Sequence, residues 1–308
     1  MDPKIVDAIK KSAAVPSMPQ VVTRFLEVIQ DPNFDYESVV KVLSVDAGTV
    51  SEILRLANSA LFGVARKVTS LKQALTLLGP RRTRSMVLGR FLAESMSTTA
   101  GGSIDTTYFW RRSLGTAVIG ARLADAVNPK LRDEVFVCAL LADIGIPILS
   151  QAMPDQYAAI AARYSPHGEP FTADDERAAV GCSHPEVAAM VLAEWALPDT
   201  MCSAVLMSHV DTATPDDDAS RVGMIINASD RIARLLSEIP DVSTCAEVCG
   251  QAMEFIGVEL DVLAGILDRV EADVEELASI LRIDVIPSAV YSKIADSVKT
   301  RLTTPVGG

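Results

Sequence analysis

Helical periodicity runs through almost all of the 308 residues and constrains the fold more than any other feature of the sequence. The first clear stripe has the spacing of one helix face and consists of Val21, Val22, Phe25, Leu26, Val28 and Ile29. Similar stripes recur as far as residue 281, and no segment combines strand-type alternation with hairpin-turn residues. The sequence therefore predicts an all-α fold.

Two polar stretches interrupt the predicted helices. The first, Thr98 to Thr107, is small, polar and glycine-containing, and the second runs from Asp211 to Asp218. These breaks predict an N-terminal helical subdomain (1–98), a linker (99–107), a helical core (108–237) and C-terminal accessory helices (238–308). Within this plan, the pattern predicts a helix over 133–151 that Pro147 kinks or ends. It also predicts separate tail helices over 259–269 and 271–281.

The charge balance limits the classes of partner. The chain has 28 Lys and Arg against 40 Asp and Glu, a net charge of -12. Such a surface repels phosphate backbones and anionic lipids, so we expect no non-specific nucleic-acid binding and no membrane binding. The five cysteines do not form a disulfide framework, and the first residues contain no apolar signal segment. Together these features predict a cytoplasmic protein.

One carboxylate interrupts an otherwise apolar stretch from Phe136 to Gly145. Burial of this residue, Asp143, would cost several kcal/mol unless it is paired, hydrogen-bonded or bound to a metal. A structural role as a cap or turn acceptor explains it, and so does a role as a metal ligand. The chain has only three histidines, which argues against a metal hydrolase with many imidazole ligands. Of these three, His167 lies in a predicted solvated loop.

The clearest basic cluster comes just after Gly79-Pro80 and contains Arg81, Arg82 and Arg84. These residues are candidates to bind a phosphate, a nucleotide or an acidic partner protein. A solvated face paired with neighbouring acidic residues explains the cluster equally simply. The cluster has no interleaved aromatic side chains, which weakens a nucleotide-stacking role.

Several sequence blocks together resemble one known family. The stretch Phe136–Gly145 is similar to the Leu-Leu-His-Asp-Ile-Gly signature of HD-superfamily metal-dependent phosphohydrolases. It is closer still to the HDOD family, the degenerate signalling relatives of those enzymes. The other blocks follow in the family's order and are Pro16–Pro19, Leu54–Gly63, Val68–Gly79, Phe109-Trp110 and Glu194–Pro198. The resemblance implies a multi-helical N-terminal lobe packed on an HD-like helical core.

The resemblance also assigns a set of positions that correspond to the HD metal site. These positions are Arg112, Ala142, Asp143, His184, His209 and Asp230. Arg112 falls near the first histidine of the family pattern, and Ala142 replaces the histidine of the His-Asp pair. A cation at residue 112 would repel a divalent ion and could instead pair with Asp143. The resemblance therefore implies a vestigial site with no catalytic residue, no metal and no cofactor.

The function expected from this resemblance is non-catalytic signalling or regulation through a protein partner, with a nucleotide ligand or a homodimer as further options. Two alternatives stay open from the sequence. One is a metal-dependent phosphohydrolase or phosphodiesterase with a reduced ligand set. The other is a module that senses a cyclic dinucleotide through Arg81, Arg82 or Arg84.

Overall fold

The structure is a computed structural model, and it describes residues 1–12, 14–31, 33–59, 67–98, 104–166, 168–211, 214–238, 242–285 and 296. Within these ranges the regular elements are all helical and no strand is present. The all-α prediction is thus confirmed. The chain divides into two compact units, formed by residues 16–100 with 275–284 and by residues 1–15 with 101–274 and 285–308.

The smaller unit contains four helices and the end of a fifth. The four are α2 (Gln20–Gln30), α3 (Tyr36–Leu43), α4 (Ala47–Ala57) and α5 (Leu71–Thr98). Gly79 interrupts α5 because its backbone is not helical, with a φ of 75°, and Pro80 follows it. A glycine followed by a proline is a pattern that commonly ends a helix. On the following half of α5, the Arg90 guanidinium pairs with the buried Glu52 and with Asp46 of α4's N-cap.

The larger unit contains the remaining helices. In chain order they are α1 (Pro3–Lys11), α6 (Thr106–Val127), α7 (Arg132–Leu141), α8 (Gly145–Ala152), α9 (Pro154–Arg163), α10 (Ala173–Val180), α11 (His184–Glu194), α12 (Asp199–Met207), α13 (Asp218–Glu238), α14 (Val242–Ile256) and α15 (Leu260–Leu281), whose last turns belong to the smaller unit. The long helix α6 packs against α7 and α13 at the centre, and α12 packs on α11 and α13. Residues 108–121 of α6 are all buried, so this helix forms the middle of the core.

The structure corrects two of the predicted helices. The segment over 133–151 is two helices, because residues 142–144 form a turn between α7 and α8. Pro147 does not end a helix but lies in the first turn of α8, where its missing N–H has no intrahelical partner to lose. In the tail, the two segments predicted over 259–269 and 271–281 form the single helix α15, since neither glycine nor proline separates them.

The contact-based units differ from the predicted domain boundaries at both ends of the chain. Residues 1–15 group with the larger unit, and residues 275–284 group with the smaller one. The predicted linker lies partly outside the described residues, at 99–103, and its last residues already belong to α6. A contact grouping does not test independent folding, so the boundaries themselves stay a prediction.

The segment Pro129–Ala152 contains an 18-residue window with a mean hydropathy of 1.9. By length and composition alone it would be long enough to cross a membrane. However, 89% of that window is buried inside the protein, and the turn at residues 142–144 divides the segment. These observations are those of a segment in a protein core.

Candidate functional site

Five of the six residues predicted for the vestigial site bring their side chains together in the larger unit. Arg112 extends from α6, Asp143 from the turn between α7 and α8, and His184 is the first residue of α11. His209 follows the end of α12, and Asp230 lies on α13. The packing of α6 against α13 and of α12 against α13 therefore assembles the site from four helices and one turn.

Local sequence signals fix the backbone on either side of His184. Helix α10 ends at Gly181, which adopts the left-handed conformation (φ 78°) that glycine tolerates best. Two residues later the Ser183 N–H donates to the Glu186 carboxylate at 2.8 Å, and Pro185 occupies the first turn of α11. These features start α11 at His184 and hold its imidazole over the turn that carries Asp143.

Glycine is required where this turn meets α11. A Cβ atom on Gly145 would lie 2.7 Å from the Cα atom of His184, which is closer than real Cβ atoms come to a neighbouring backbone. The missing side chain lets α8 begin directly against the backbone of His184. The Asp143-Ile144-Gly145 motif therefore supplies the carboxylate of the site, and its glycine leaves the space that the backbone of His184 occupies.

Arg112 is the central cation of the site. Its Nη2 donates to both carboxylate oxygens of Asp230 at 3.0 Å, and its Nε donates to Oδ1 at 3.1 Å. The same Nη2 lies 3.5 Å from Asp143 Oδ2, and the guanidinium carbon lies 5.0 Å from the centre of the Tyr164 ring. Burial alone would lower the pKa of Arg112, but the two carboxylates raise it well above its ordinary value. Arg112 is thus permanently charged and bound mainly to Asp230, more closely than to the predicted partner Asp143.

Asp143 is surrounded by hydrogen-bond donors and positive charge. His209 Nε2 lies 3.3 Å and His184 Nε2 lies 3.6 Å from its Oδ1, and the Tyr164 hydroxyl donates to Oδ2 at 3.4 Å. Burial alone would raise the pKa of this carboxyl, but Arg112 and the two imidazoles hold it well below its usual range. The buried carboxylate is therefore ionised and compensated, as the sequence argument required.

A second buried acid supports His184, and the sequence analysis did not identify it. Glu176 is fully buried, and its Oε2 is 2.6 Å from His184 Nδ1 and accepts the backbone N–H of the same residue at 3.0 Å. Its Oε1 accepts a hydrogen bond from the Tyr157 hydroxyl at 2.5 Å. Burial alone would lower the pKa of His184, but Glu176 and Asp143 raise it to about 10. At neutral pH His184 is consequently a cation held between two carboxylates.

The buried position of Glu176 is not visible in the sequence. It follows Asp174 and Asp175 at the start of α10, in a run that is typical of an exposed first helical turn. The two aspartates match that pattern, since they are bound at the surface by Arg177 and by the Thr172 cap. Only the packing of α10 beside α9 and α11 turns the third acid inwards.

Three donor atoms at this site lie close enough together to bind one metal ion. One oxygen of Asp143 and one nitrogen each of His184 and His209 lie within 4.8 Å of one another, so these three residues have the geometry to hold a single ion. Asp230, which the resemblance places as a fourth ligand, instead accepts the bidentate hydrogen bonds of Arg112. A buried guanidinium beside Asp143 also repels a divalent ion. The residues therefore do not fit a two-metal centre.

The remaining predicted residues lie apart from this cluster or contribute no polar group to it. Ala142 is buried in the turn beside Asp143 and has only a methyl side chain. Arg81, Arg82 and Arg84 lie on α5 in the smaller unit, where Arg81 is exposed and the other two are half-buried. His167 lies outside the described residues.

Comparisons with known proteins agree with this architecture. The HDOD domain model matches residues 15–210. An HDOD domain protein of unknown function from Geobacter sulfurreducens has a similar fold, with a TM-score of 0.69 and 20% identity over 90% of this chain and 97% of the other. A Shewanella amazonensis protein, provisionally named a phosphohydrolase, gives a TM-score of 0.67 and 19% identity over 91% and 98% of the two chains.

A curated relative extends beyond the part that matches. An uncharacterized protein of Treponema pallidum (strain Nichols) is 23% identical over 234 residues. These residues cover 73% of this chain but only 44% of the relative, so the chain spans less than half the length of that protein. At these identities the structural likeness establishes the fold, and the chemistry has to be argued from the side chains.

Proposed function

The chain belongs to the HDOD family, and from this premise we propose that it is a non-catalytic signalling or regulatory protein that acts by binding a partner protein. One observation carries the proposal: Arg112 occupies the centre of the site and forms bidentate hydrogen bonds with Asp230. A permanent cation thereby neutralises the acidic groups that a metal centre would use. The site has the charge balance of a structural ion network rather than of an open metal site.

His184 supports the same proposal. An imidazole must be neutral to bind a metal, because the ligand is the unprotonated ring nitrogen. Glu176 and Asp143 instead raise the pKa of His184 to about 10 and favour its protonated form. The family's histidine-aspartate pair also has alanine at residue 142, which has no donor atom for a metal. Three of the corresponding positions therefore act against catalysis.

We place the protein in the cytoplasm, with a bacterial signalling protein as partner and a second copy of the chain or a nucleotide as further ligands. The net charge of -12 supports a partner other than bulk nucleic acid or an anionic membrane. The partner proposal is tested by affinity capture with the tagged full chain from bacterial lysate. It predicts recovery of a defined protein at constant stoichiometry, and recovery of the chain alone would contradict it.

A second candidate is a phosphohydrolase or phosphodiesterase with a single metal ion. The observation that favours it is the cluster of donor atoms from Asp143, His184 and His209 within 4.8 Å. These residues would hold the ion, which would supply Lewis acidity and an activated water. Glu176 would orient His184 by accepting a hydrogen bond from Nδ1, as outer carboxylates do for metal-bound histidines.

Metal content separates the two candidates. The full chain is purified without an affinity metal or chelator and analysed by plasma mass spectrometry, with Asp143→Ala as the matched variant. Hydrolysis of bis(4-nitrophenyl) phosphate is measured on the same samples with added Mn²⁺. We expect background metal and no hydrolysis above that of buffer. Stoichiometric iron, manganese or zinc that is lost in Asp143→Ala, together with hydrolysis, would overturn the non-catalytic proposal.

A further inference from the structure

A cavity of about 510 Å³ opens beside the candidate site, within the larger unit. This volume lies in the range of roughly 300–1,000 Å³ that small-molecule sites occupy. His184, His209 and Asp230 are among its lining residues, and the His209 side chain is half-buried. The cavity is therefore large enough for a small organic ligand and is continuous with the ion network described above.

Three arginines from two helices line the cavity: Arg177 of α10 and Arg231 and Arg234 of α13. Asp211 accepts a hydrogen bond from Arg231 Nη2 at 2.6 Å. Arg177 donates from Nη1 to Asp174 at 2.8 Å and from both Nε and Nη2 to Glu186 Oε1 at 3.4 Å. A guanidinium has five N–H donors, so a carboxylate leaves others available for a second anion. Asp230, the remaining acid of the wall, is held by Arg112. The carboxylates of the lining are thus paired with arginines, and an anion that enters the cavity can bind the remaining N–H groups of those arginines.

The lining also contains apolar side chains. Leu206 and Val210 line the cavity, and both are large hydrophobic side chains exposed at the surface, by 46% and 40%. Phe171 and Pro185 line it as well. Exposed apolar side chains gathered around a concave surface are typical of ligand-binding grooves. The arrangement is suited to a ligand with a flat apolar part and an anionic part.

One buried polar atom in the lining residues, Asn227 Oδ1, makes no hydrogen bond or ion pair with the residues that the structure describes. The orientation of the Asn227 amide is fixed, because its Nδ2 donates to Asp211 Oδ1 at 3.3 Å and the carbonyl oxygen must then point elsewhere. Buried polar groups in native proteins are almost always satisfied, so Asn227 is a polar position of the lining without a protein partner among the described residues.

We propose that this cavity binds a nucleotide, with the phosphate on Arg177 and Arg231 and the base against Leu206 and Val210. The proposal rests on the non-catalytic function proposed above, because the nucleotide is a regulatory ligand that is bound and released without being hydrolysed. Arginine forks match phosphate geometry, and the apolar side chains of the lining can contact the face of a base. The ligand site is thereby assigned to α10, α12 and α13 rather than to the arginines of α5.

The test is isothermal titration calorimetry of the full chain with AMP and with GMP. Arg231→Gln and Arg177→Gln remove one fork each on different helices, so that one remains informative if the other fails to fold. We expect each to weaken binding about tenfold or more, since a hydrogen bond to a charged group contributes roughly 1.5–3 kcal/mol. The matched control is Arg81→Gln, an exposed arginine of the smaller unit, which is expected to leave binding unchanged.

Further measurements separate the parts of the proposal. Leu206→Asn is expected to weaken binding of AMP or GMP several-fold while leaving the binding of inorganic phosphate unchanged. Binding that is lost in Arg81→Gln but kept in both cavity variants would overturn the proposal in favour of α5. Failure of both nucleotides to bind at millimolar concentration would also overturn it, while leaving the non-catalytic function standing. Phosphorus NMR of the same mixtures detects hydrolysis, which would contradict the proposed function and not the location of the ligand.

Discussion

The Arg112 guanidinium donates to both carboxylate oxygens of Asp230, with Nη2 at 3.0 Å from each. Both side chains are buried, so neither charge is screened by water to the extent of a surface pair. Asp143 Oδ2 lies 3.5 Å from the same Nη2, so one guanidinium balances the charges of two buried carboxylates. The stability of the larger unit therefore depends on a residue that stands where the family resemblance expects a histidine.

Replacing Arg112 tests this dependence. Arg112→Ala is expected to lower the free energy of unfolding by about 3–5 kcal/mol, because it leaves buried carboxylates without their partner. The measurement is urea denaturation followed by circular dichroism. Arg177→Ala is the control, since Arg177 pairs with Asp174 at the surface with 46% of its side chain exposed, and we expect less than about 1 kcal/mol. Equal effects of the two variants would contradict a central role for Arg112.

The sequence predicted the helical class and most of the helices because those depend on local periodicity and on caps. It also predicted that Asp143 needs a partner, since the cost of burying a lone carboxylate can be reasoned without a structure. It did not predict that Arg112 binds Asp230 more closely than Asp143. That choice depends on how α6 and α13 pack, and the two residues are 118 positions apart.

Glu176 shows a second limit of the sequence. Its neighbours Asp174 and Asp175 are surface residues of the same helical turn, and only the packing of that helix distinguishes the third acid. The break at residues 142–144 is a similar case. Most of the segment is apolar, so its periodicity does not show where one helix ends and the next begins, and only Asp143 before Gly145 is compatible with a turn there.

Removal of the Glu176 charge tests whether this carboxylate raises the pKa of His184. Glu176→Gln is expected to lower the pKa of His184 from about 10, because the carboxylate beside Nδ1 is the main group that raises it. We also expect a loss of stability of about 1.5–3 kcal/mol, the range for a hydrogen bond to a charged group. Carbon-detected NMR of the imidazoles follows the titration, and the chain has only three histidines. Glu194→Gln, at the surface beside Lys10, is the control, and an unchanged His184 pKa in Glu176→Gln would contradict this assignment.

Gly145 and Gly265 form a matched pair for the close contact at the site. Gly145→Ala places a Cβ atom 2.7 Å from the Cα of His184, so we expect a loss of at least about 1–3 kcal/mol. Gly265 is an exposed position in α15 with no atom within 4 Å of the same added group. Gly265→Ala is therefore expected to stabilise the protein by about 0.5–1 kcal/mol through helix propensity. Thermal and urea denaturation of both variants test the contrast, and equal destabilisation by the two would refute the contact.

The raised pKa of His184 predicts how stability changes in mild alkali. The folded-state pKa of about 10 exceeds the value of about 6.5 expected in the unfolded chain, so the folded protein binds more protons between these values. The contribution of His184 is then fully present below pH 6.5 and is lost as the pH rises towards 10, with a slope of at most about 1.4 kcal/mol per pH unit. Urea denaturation at pH 7, 8, 9 and 10 measures it. Subtracting the same series for His184→Gln removes the titration of lysines, tyrosines and cysteines, and a difference that does not fall with pH would show that His184 is neutral in the folded protein.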